Sequence, residues 1–369
     1  MPSIAYDPQI FCSQTHGGIS RYFCEIASRI GRLPDAQTTI VSPLHINSHL
    51  MTMPGNLVSG FKLPQTRFTR SPLRKLAMLI GDRILRSMNP DIIHETYYYP
   101  RHIGPRSARR VLTIYDMIHE KFASDFHTSD KTSSYKALAA TRADHIICIS
   151  ESTRRDVVEI LGVPIDQTSV IHLGYGLMEC DSEISEAPKL SPKSPFLLYV
   201  GNRGGYKNFL MLLRALANSK QLRTQFRLIC FGGGAFSGAE IKAIRSCGLG
   251  TDQVIHLGGH DRVLANLYRK ASAFIYPSLY EGFGIPPLEA MSFGCPVVCS
   301  NTSSIPEVVG NAGEYFDPRN PESMRLAIER VLASNEVQED LRVKGRLRLT
   351  AFSWDRCAAE TLETYNKLI

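Results

Sequence analysis

The run Tyr276-Pro277-Ser278-Leu279-Tyr280-Glu281-Gly282-Phe283-Gly284-Ile285-Pro286-Pro287-Leu288-Glu289-Ala290 passes from an apolar strand pattern into a helix through a loop that holds one carboxylate and two glycines. The strand reads as Ala273–Tyr276, and Pro286-Pro287 suits the first positions of a helix, where a missing N–H costs nothing. Glu289 is then expected in the first helical turn, its side chain leaning back toward the loop. That places Glu281 and Glu289 toward one site. The N–H groups of Gly282 to Ile285 and the helix dipole suit a diphosphate, whereas a carboxylate repels phosphate at close range. Both features can coexist if each Glu accepts hydrogen bonds from sugar hydroxyls, one on a nucleotide ribose and the other on a hexose. Taken singly, Glu289 could merely complement the dipole and Glu281 could be a solvated loop acid.

Outward from this segment, short apolar runs alternate with longer helical patterns, which predicts parallel sheets with crossover helices. Strands are expected at Ser3–Tyr6, Thr38–Val41, Ile92–His94, Arg110–Tyr115, His145–Ile149 and Ser169–His172. A second series is expected at Phe196–Gly201, Phe226–Phe231, Gln253–Leu257, Ala273–Tyr276, Pro296–Cys299 and Gly313–Phe316. Between the two series lies a Ser-, Pro- and charge-rich stretch that reads as a linker. The expected organisation is a domain over 1–178, a linker over 179–195, a second domain over 196–350 and a terminal helix over 351–369. Each domain is a doubly wound, Rossmann-like α/β unit. Ligands of such sheets bind beyond the carboxyl ends of the strands, so two of them facing a central cleft would bind there.

Two further loops follow strands. Gln14-Thr15-His16-Gly17-Gly18-Ile19 opens a helix, and paired glycines there let backbone N–H groups approach an oxyanion. Tyr199-Val200-Gly201-Asn202-Arg203-Gly204-Gly205-Tyr206-Lys207-Asn208 repeats the arrangement with two cations, Arg203 able to fork and Lys207 acting as a point charge. Phe231-Gly232-Gly233-Gly234 ends a strand in the same way, but Ser237 breaks the G-x-G-x-x-G pattern and no P-loop occurs, so a dinucleotide oxidoreductase or P-loop NTPase has no support. No Asp-x-Asp occurs; the nearest sequence, Glu179-Cys180-Asp181, is in the linker. A departing diphosphate would therefore be met by Arg203, Lys207 and helix N-termini with no metal.

The chain has 369 residues, 43% hydrophobic and 21% charged, enough for two ordinary globular cores. Its surplus of seven positive charges is mild for a nucleic-acid binder. Seven cations against the single anion Asp82 lie between Phe61 and Asn89, where Leu73, Leu76, Ala77, Ile80, Ile84 and Leu85 recur at helical spacing. This basic amphipathic helix is either a surface helix with its apolar face in the core or a membrane-surface element using Arg67 to Arg86. Nine scattered cysteines without a C-x-x-C pair suit a reducing compartment. The first residues lack a leader pattern and no apolar run reaches membrane-spanning length, so a cytoplasmic protein is expected, with a peripheral contact on the inner face of the membrane.

Taken together, His16-Gly17-Gly18, Ile149-Ser150-Glu151-Ser152-Thr153, Val200-Gly201 with Lys207-Asn208, Glu281-x7-Glu289 with its flanks, and Ser303-Ser304-Ile305-Pro306-Glu307 resemble a family 4 retaining glycosyltransferase of the GT-B fold. The resemblance implies Glu289 on the nucleotide ribose, Glu281 and the Gly282, Phe283, Gly284 and Ile285 backbone on the donor sugar, and Lys207 on the diphosphate. Gly17, Gly18, Gly201 and Asn202 complete the donor contacts, while His16, His119 and Ser150 are assigned to the acceptor. It also implies that the last helix returns to the first domain. Two departures stand out. Asn202 occupies the position where many members carry Arg, which shifts a phosphate role to Arg203. Tyr115-Asp116 replaces a common His-Asp pair, leaving Tyr115 as a hydrogen-bond donor that is a poor base at neutral pH. The pattern is similar to bacterial O-antigen and surface-polysaccharide mannosyltransferases, which implies GDP-mannose as donor, no cofactor, and a saccharide or lipid-linked saccharide acceptor. A UDP-hexose-dependent enzyme and a non-catalytic sugar-nucleotide-binding protein are the alternatives.

Overall fold

The computed structural model describes residues 1–34, 36–64, 70–176 and 195–369. The expected linker 179–195 (Pro195 apart), Glu179-Cys180-Asp181 within it, and Arg67 lie outside the described residues. The chain divides into two compact units: Met1–Gly174 with Ser353–Ile369, and Tyr175–Phe352.

The first unit is built from β1 (Ser3–Tyr6), α1 (Gly18–Ile30), β2 (Gln37–His45), β3 (Val58–Lys62), α2 (Arg70–Met88), β4 (Ile92–Glu95), β5 (Arg109–Ile114), α3 (Ile118–Lys121), α4 (Thr132–Ala140), β6 (His145–Cys148), α5 (Glu151–Leu161) and β7 (Thr168–Val170). Its seven strands are all parallel in the order β3-β2-β1-β4-β5-β6-β7. The central strands β4, β5 and β6 are buried almost throughout, as expected for a parallel sheet covered on both faces.

Strand β3 was not expected. Its Val-Ser-Gly-Phe-Lys sequence is polar and half exposed, as an edge strand can be. Strand β2 also runs beyond Val41, through a register shift between Val41 and Leu44 that accommodates Pro43. Gly60 crosses this irregularity at φ 157°, where an added Cβ would sit 1.7 Å from the Ser42 carbonyl oxygen. The basic helix α2 packs Ala77, Met78 and Leu85 into the core beside Val41 and Ile93, while Leu76 and Leu79 stay exposed, so part of its apolar face is a core face. Each fully buried side chain of Leu85's size contributes roughly 1.5–3 kcal/mol.

The second unit comprises β8 (Phe196–Val200), α6 (Phe209–Ala217), α7 (Lys220–Gln225), β9 (Arg227–Phe231), α8 (Gly238–Ser246), β10 (Val254–Leu257), α9 (Asp261–Lys270), β11 (Ala273–Tyr276), α10 (Ile285–Ser292), β12 (Val297–Ser300), α11 (Ile305–Val309), β13 (Gly313–Phe316), α12 (Pro321–Ala333) and α13 (Asn335–Leu349). Its parallel sheet runs β10-β9-β8-β11-β12-β13. Leu197, Leu212, Leu213, Ile275, Val298 and Ile328 form its core under α6 and α12.

The last helix, α14 (Trp354–Asn366), follows the second unit in sequence but packs on α1 of the first. Tyr365 Oη lies 2.6 Å from His94 Nδ1, and Arg29 Nε is 2.7 Å from Asp355 Oδ1. Gly174 lies against the start of this helix so closely that an added Cβ would come within 2.4 Å of the Trp354 nitrogen. Among the described residues, no helix is long and apolar enough to cross a membrane.

Candidate active site

In the second unit the chain order reverses between β8 and β11, which are neighbours. Loops diverge beyond such a switch point and leave a crevice at the carboxyl ends of the strands. Here the two loops are laced together. Leu279 N–H donates to the Tyr206 carbonyl at 2.8 Å, and Asn208 Nδ2 donates to the carbonyls of Pro277 (3.0 Å) and Pro318 (2.8 Å). Asn208 takes left-handed backbone geometry (φ 61°), which Asn tolerates better than most residues, and so ends one short turn and starts α6. Held this way, Lys207 Nζ reaches Glu281 Oε1 at 2.7 Å. The ammonium also lies 5.3 Å from the Tyr206 ring centre and 5.9 Å from that of Tyr276. A phosphate at this position would compete for Lys207 and leave the Glu281 carboxylate to accept hydrogen bonds from hydroxyls.

The Glu281 backbone is fixed independently. Its N–H donates to Ser303 Oγ at 2.9 Å, and Ser304 Oγ lies 2.8 Å from the Glu281 carbonyl and 2.7 Å from that of Phe283. Ser303 adopts φ 53°, an uncommon conformation for a non-glycine residue that this hydrogen bond helps to hold. Phe283 is buried with its ring edge-on to Phe352. Gly284 turns the chain into α10 at φ 120°, followed by Ile285 as the first helical residue and then the two prolines.

Glu289 is the fifth residue of α10, and the first turn holds no acid, which corrects its expected first-turn position. Complementing the helix terminus therefore does not explain it. Its Oε2 is 3.4 Å from Tyr268 Oη. The Tyr276 phenol, beside Glu281, and the Tyr268 phenol, beside Glu289, both have pKa values raised well above the usual range, by burial first and by the adjacent carboxylate second. Both therefore remain proton donors toward those carboxylates at neutral pH.

Arg203 departs from its expected role. Its Nε lies 2.6 Å from Glu240 Oε1, and its two Nη atoms reach the carbonyls of Gly232 (2.7 Å), Gly233 (3.2 Å), Gly234 (2.7 Å) and Ala235 (3.3 Å). The side chain is 2% exposed and also stacks on Phe236. Its Nη donors brace the glycine loop after β9 and its Nε donates to Glu240 of α8, so the guanidinium is not turned toward a phosphate. Gly201 (φ 122°) and the exposed Asn202 form the outer part of the loop, with the Asn202 carbonyl accepting a hydrogen bond from Tyr199.

The remaining expected residues belong to the first unit. Gly17 caps α1 beneath the Gln14 side chain, where a Cβ would meet Gln14 Oε1 at 2.4 Å; Gly18 is open. His16 is exposed, its ring edge-on to His49. Ser150 is fully buried and caps α5 by accepting from Thr153 N–H at 3.0 Å. Tyr115 turns inward against the Tyr22 ring, and its hydroxyl is buried with no hydrogen-bond partner among the described residues. It does not reach outward as a substitute for His. Asp116 Oδ1 accepts from Ile118 N–H at 3.0 Å, and His119 stacks on Phe126 with its Nε2 3.8 Å from Asp130.

Sequence reading missed Lys136, which is 1% exposed and donates to the Asp116 carbonyl and to Glu120 Oε2, each at 2.8 Å. A single lysine in an amphipathic helix gives no signal of this. Ser303 and Ser304 were visible as a motif but not as the clamp on Glu281.

With this geometry in place, a profile described as Glycosyltransferase Family 4 matches residues 16–177, and one described as Glycosyl transferases group 1 matches residues 181–348. The chain is a glycosyltransferase. Among curated relatives, the O-antigen chain mannosyltransferase B of Escherichia coli is 28% identical over 284 residues, 74% of each protein. The serotype-specific mannosyltransferase WbdA of Escherichia coli is 25% identical over 318 residues, 80% of this glycosyltransferase but 39% of WbdA. Among solved structures, Anabaena HepE in complex with UDP and glucose superposes with a TM-score of 0.73 at 17% identity, covering 99% of each chain. That likeness carries the fold: two parallel, Rossmann-like α/β units of the GT-B type.

Proposed function

We propose that this glycosyltransferase is a retaining, metal-independent mannosyltransferase that uses GDP-mannose to extend a saccharide or lipid-linked saccharide in bacterial surface-polysaccharide synthesis. The observation that carries the reading is the Lys207–Glu281 pair at the switch point, which sets a cation for a leaving diphosphate beside a carboxylate for sugar hydroxyls. Mannose is favoured by the names of the curated relatives.

In the proposed reaction the bond from the donor's anomeric carbon to the phosphate oxygen breaks as the acceptor hydroxyl oxygen bonds to that carbon from the same face. The hydroxyl proton passes to the departing phosphate oxygen. Lys207 stabilises the growing negative charge, the Phe283–Ile285 backbone and Glu281 position the sugar, and Glu289 holds the ribose. The acceptor is assigned to the first unit, and the protein to the cytoplasm with peripheral contact on the inner membrane face through Arg67–Arg86. Leu76, on that helix, is 48% exposed.

A UDP-hexose donor is the second reading, favoured by the fold shared with HepE, which was solved with UDP and glucose. A panel of sugar nucleotides, incubated with the protein in excess EDTA and assayed for nucleoside diphosphate release, separates the two. GDP release from GDP-mannose supports the proposal; release from a UDP-hexose alone selects the second reading. Activity lost to EDTA and restored by magnesium contradicts metal independence.

A further inference from the structure

Two adjoining cavities open in the first unit, beyond the ends of β1 and β4, where its own strand order reverses. The larger, of about 1120 Å³, is walled by α2 and by the loop after β4. The smaller, of about 270 Å³, reaches Gln9, Tyr97 and Thr132. They share Ser13, Arg74, Met78, Tyr99 and Tyr135.

The charges in the larger cavity are unbalanced. Asp82 is occupied, with Arg86 Nε 2.9 Å from its Oδ2 and Gly104 N–H 2.8 Å from its Oδ1. The His102 ring lies against the Arg110 guanidinium, and burial together with that cation lowers its pKa, which keeps it neutral. Arg74, Lys75 and Arg101 line the same space, and none has an ion-pair partner among the described residues. Arg74 and Lys75 belong to the basic helix for which the sequence leaves a core-packed surface helix and a membrane-surface element open, and here they line a concave site. Converging unpaired cations beside tyrosine rings suit a phosphoryl group attached to a sugar: guanidinium forks for the oxygens, ring faces for the pyranose.

We propose that this double cavity binds the phosphoryl end of a glycosyl phosphate or diphosphate, with Arg74, Lys75 and Arg101 on the phosphate and Tyr99, Tyr135 and Gln9 around the adjoining sugar. The assignment rests on the glycosyltransferase reading in that this ligand is the acceptor. A lipid-linked glycosyl diphosphate and a soluble sugar phosphate share the chemistry.

Calorimetry on the full-length chain tests it, with inorganic pyrophosphate titrated after saturation with GDP or UDP, whichever binds. One further site is expected, and the double variant Arg74→Gln/Arg101→Gln weakens it about ten-fold or more while nucleotide affinity stays within about two-fold. Both side chains are exposed, so the variant should fold, and its nucleotide affinity verifies that. Mannose 1-phosphate is expected to bind more tightly than inorganic phosphate, and Tyr135→Ala removes that preference. Phosphatidylglycerol vesicles provide the membrane arm. Absence of pyrophosphate binding, equal binding by the double variant, or a variant that loses only vesicle binding overturns the proposal. If neither nucleotide binds the wild type, the donor reading has failed separately, and the pyrophosphate comparison of wild type with double variant still decides this site.

Discussion

Lys207 and Glu281 neutralise each other in the absence of substrate, and their proposed roles diverge once a nucleotide sugar arrives. Charge grows on the diphosphate only as the glycosidic bond breaks, so Lys207→Ala should act mainly on kcat, by roughly 10²–10³-fold in steady-state assays. A change confined to KM would mean that Lys207 only binds. Glu289→Ala should instead weaken nucleotide binding, by roughly 10- to 150-fold in calorimetry, since a charge-assisted hydrogen bond to a hydroxyl is worth about 1.5–3 kcal/mol. Unchanged affinity would remove Glu289 from the ribose. Both acids were legible in sequence because their seven-residue spacing comes with glycines and prolines that dictate the turn. Arg203 was not, since nothing in the chain says which way a guanidinium turns, and here the carbonyls of the following glycine loop capture it.

At the level of elements, the sequence placed β1, β11 and β13 where they lie, because buried parallel strands are short apolar runs with clear boundaries. It missed β3 because an edge strand carries polar residues and a glycine, and it ended β2 early because Ser42-Pro43 reads as a breaker where the strand only bulges. Gly60→Ala is the sharp test of that edge. The new methyl would collide with the Ser42 carbonyl, and chemical denaturation should show a loss of about 2–4 kcal/mol. A loss below about 0.5 kcal/mol would mean that the β2–β3 pairing yields easily. The amphipathic pattern of α2 was legible, and part of its apolar face packs into the core. That its cations line a cavity was not legible, since that depends on the loop after β4, distant in sequence.

For the molecule as a whole, the terminal helix makes the first unit discontinuous in sequence, and His94 is a key point of attachment. It is fully buried between Tyr365 Oη and Thr113 Oγ1 (2.8 Å), and burial lowers its pKa to about 3. The folded state therefore keeps it neutral while the unfolded chain protonates it, so its contribution is complete above about pH 6.5 and lost as pH falls toward 3, a matter of a few kcal/mol. Asp7, fully buried beside Glu95, runs the other way: burial raises its pKa to about 6, so its contribution falls as pH rises from about 4 to 6. His94→Gln should remove the first dependence and leave the second. Denaturation curves between pH 4 and 7 should then show the variant gaining stability relative to wild type on acidification. A difference independent of pH would contradict the buried neutral imidazole.

The most direct test of the account is the anomeric configuration of the product. With GDP-mannose, whose mannose is α-linked to the diphosphate, a saccharide acceptor and excess EDTA, proton NMR should show GDP release matched by a new α-mannosidic signal, and Lys207→Ala should slow both together. A β-linked product, or no GDP release while a metal-supplemented reaction proceeds, would contradict it.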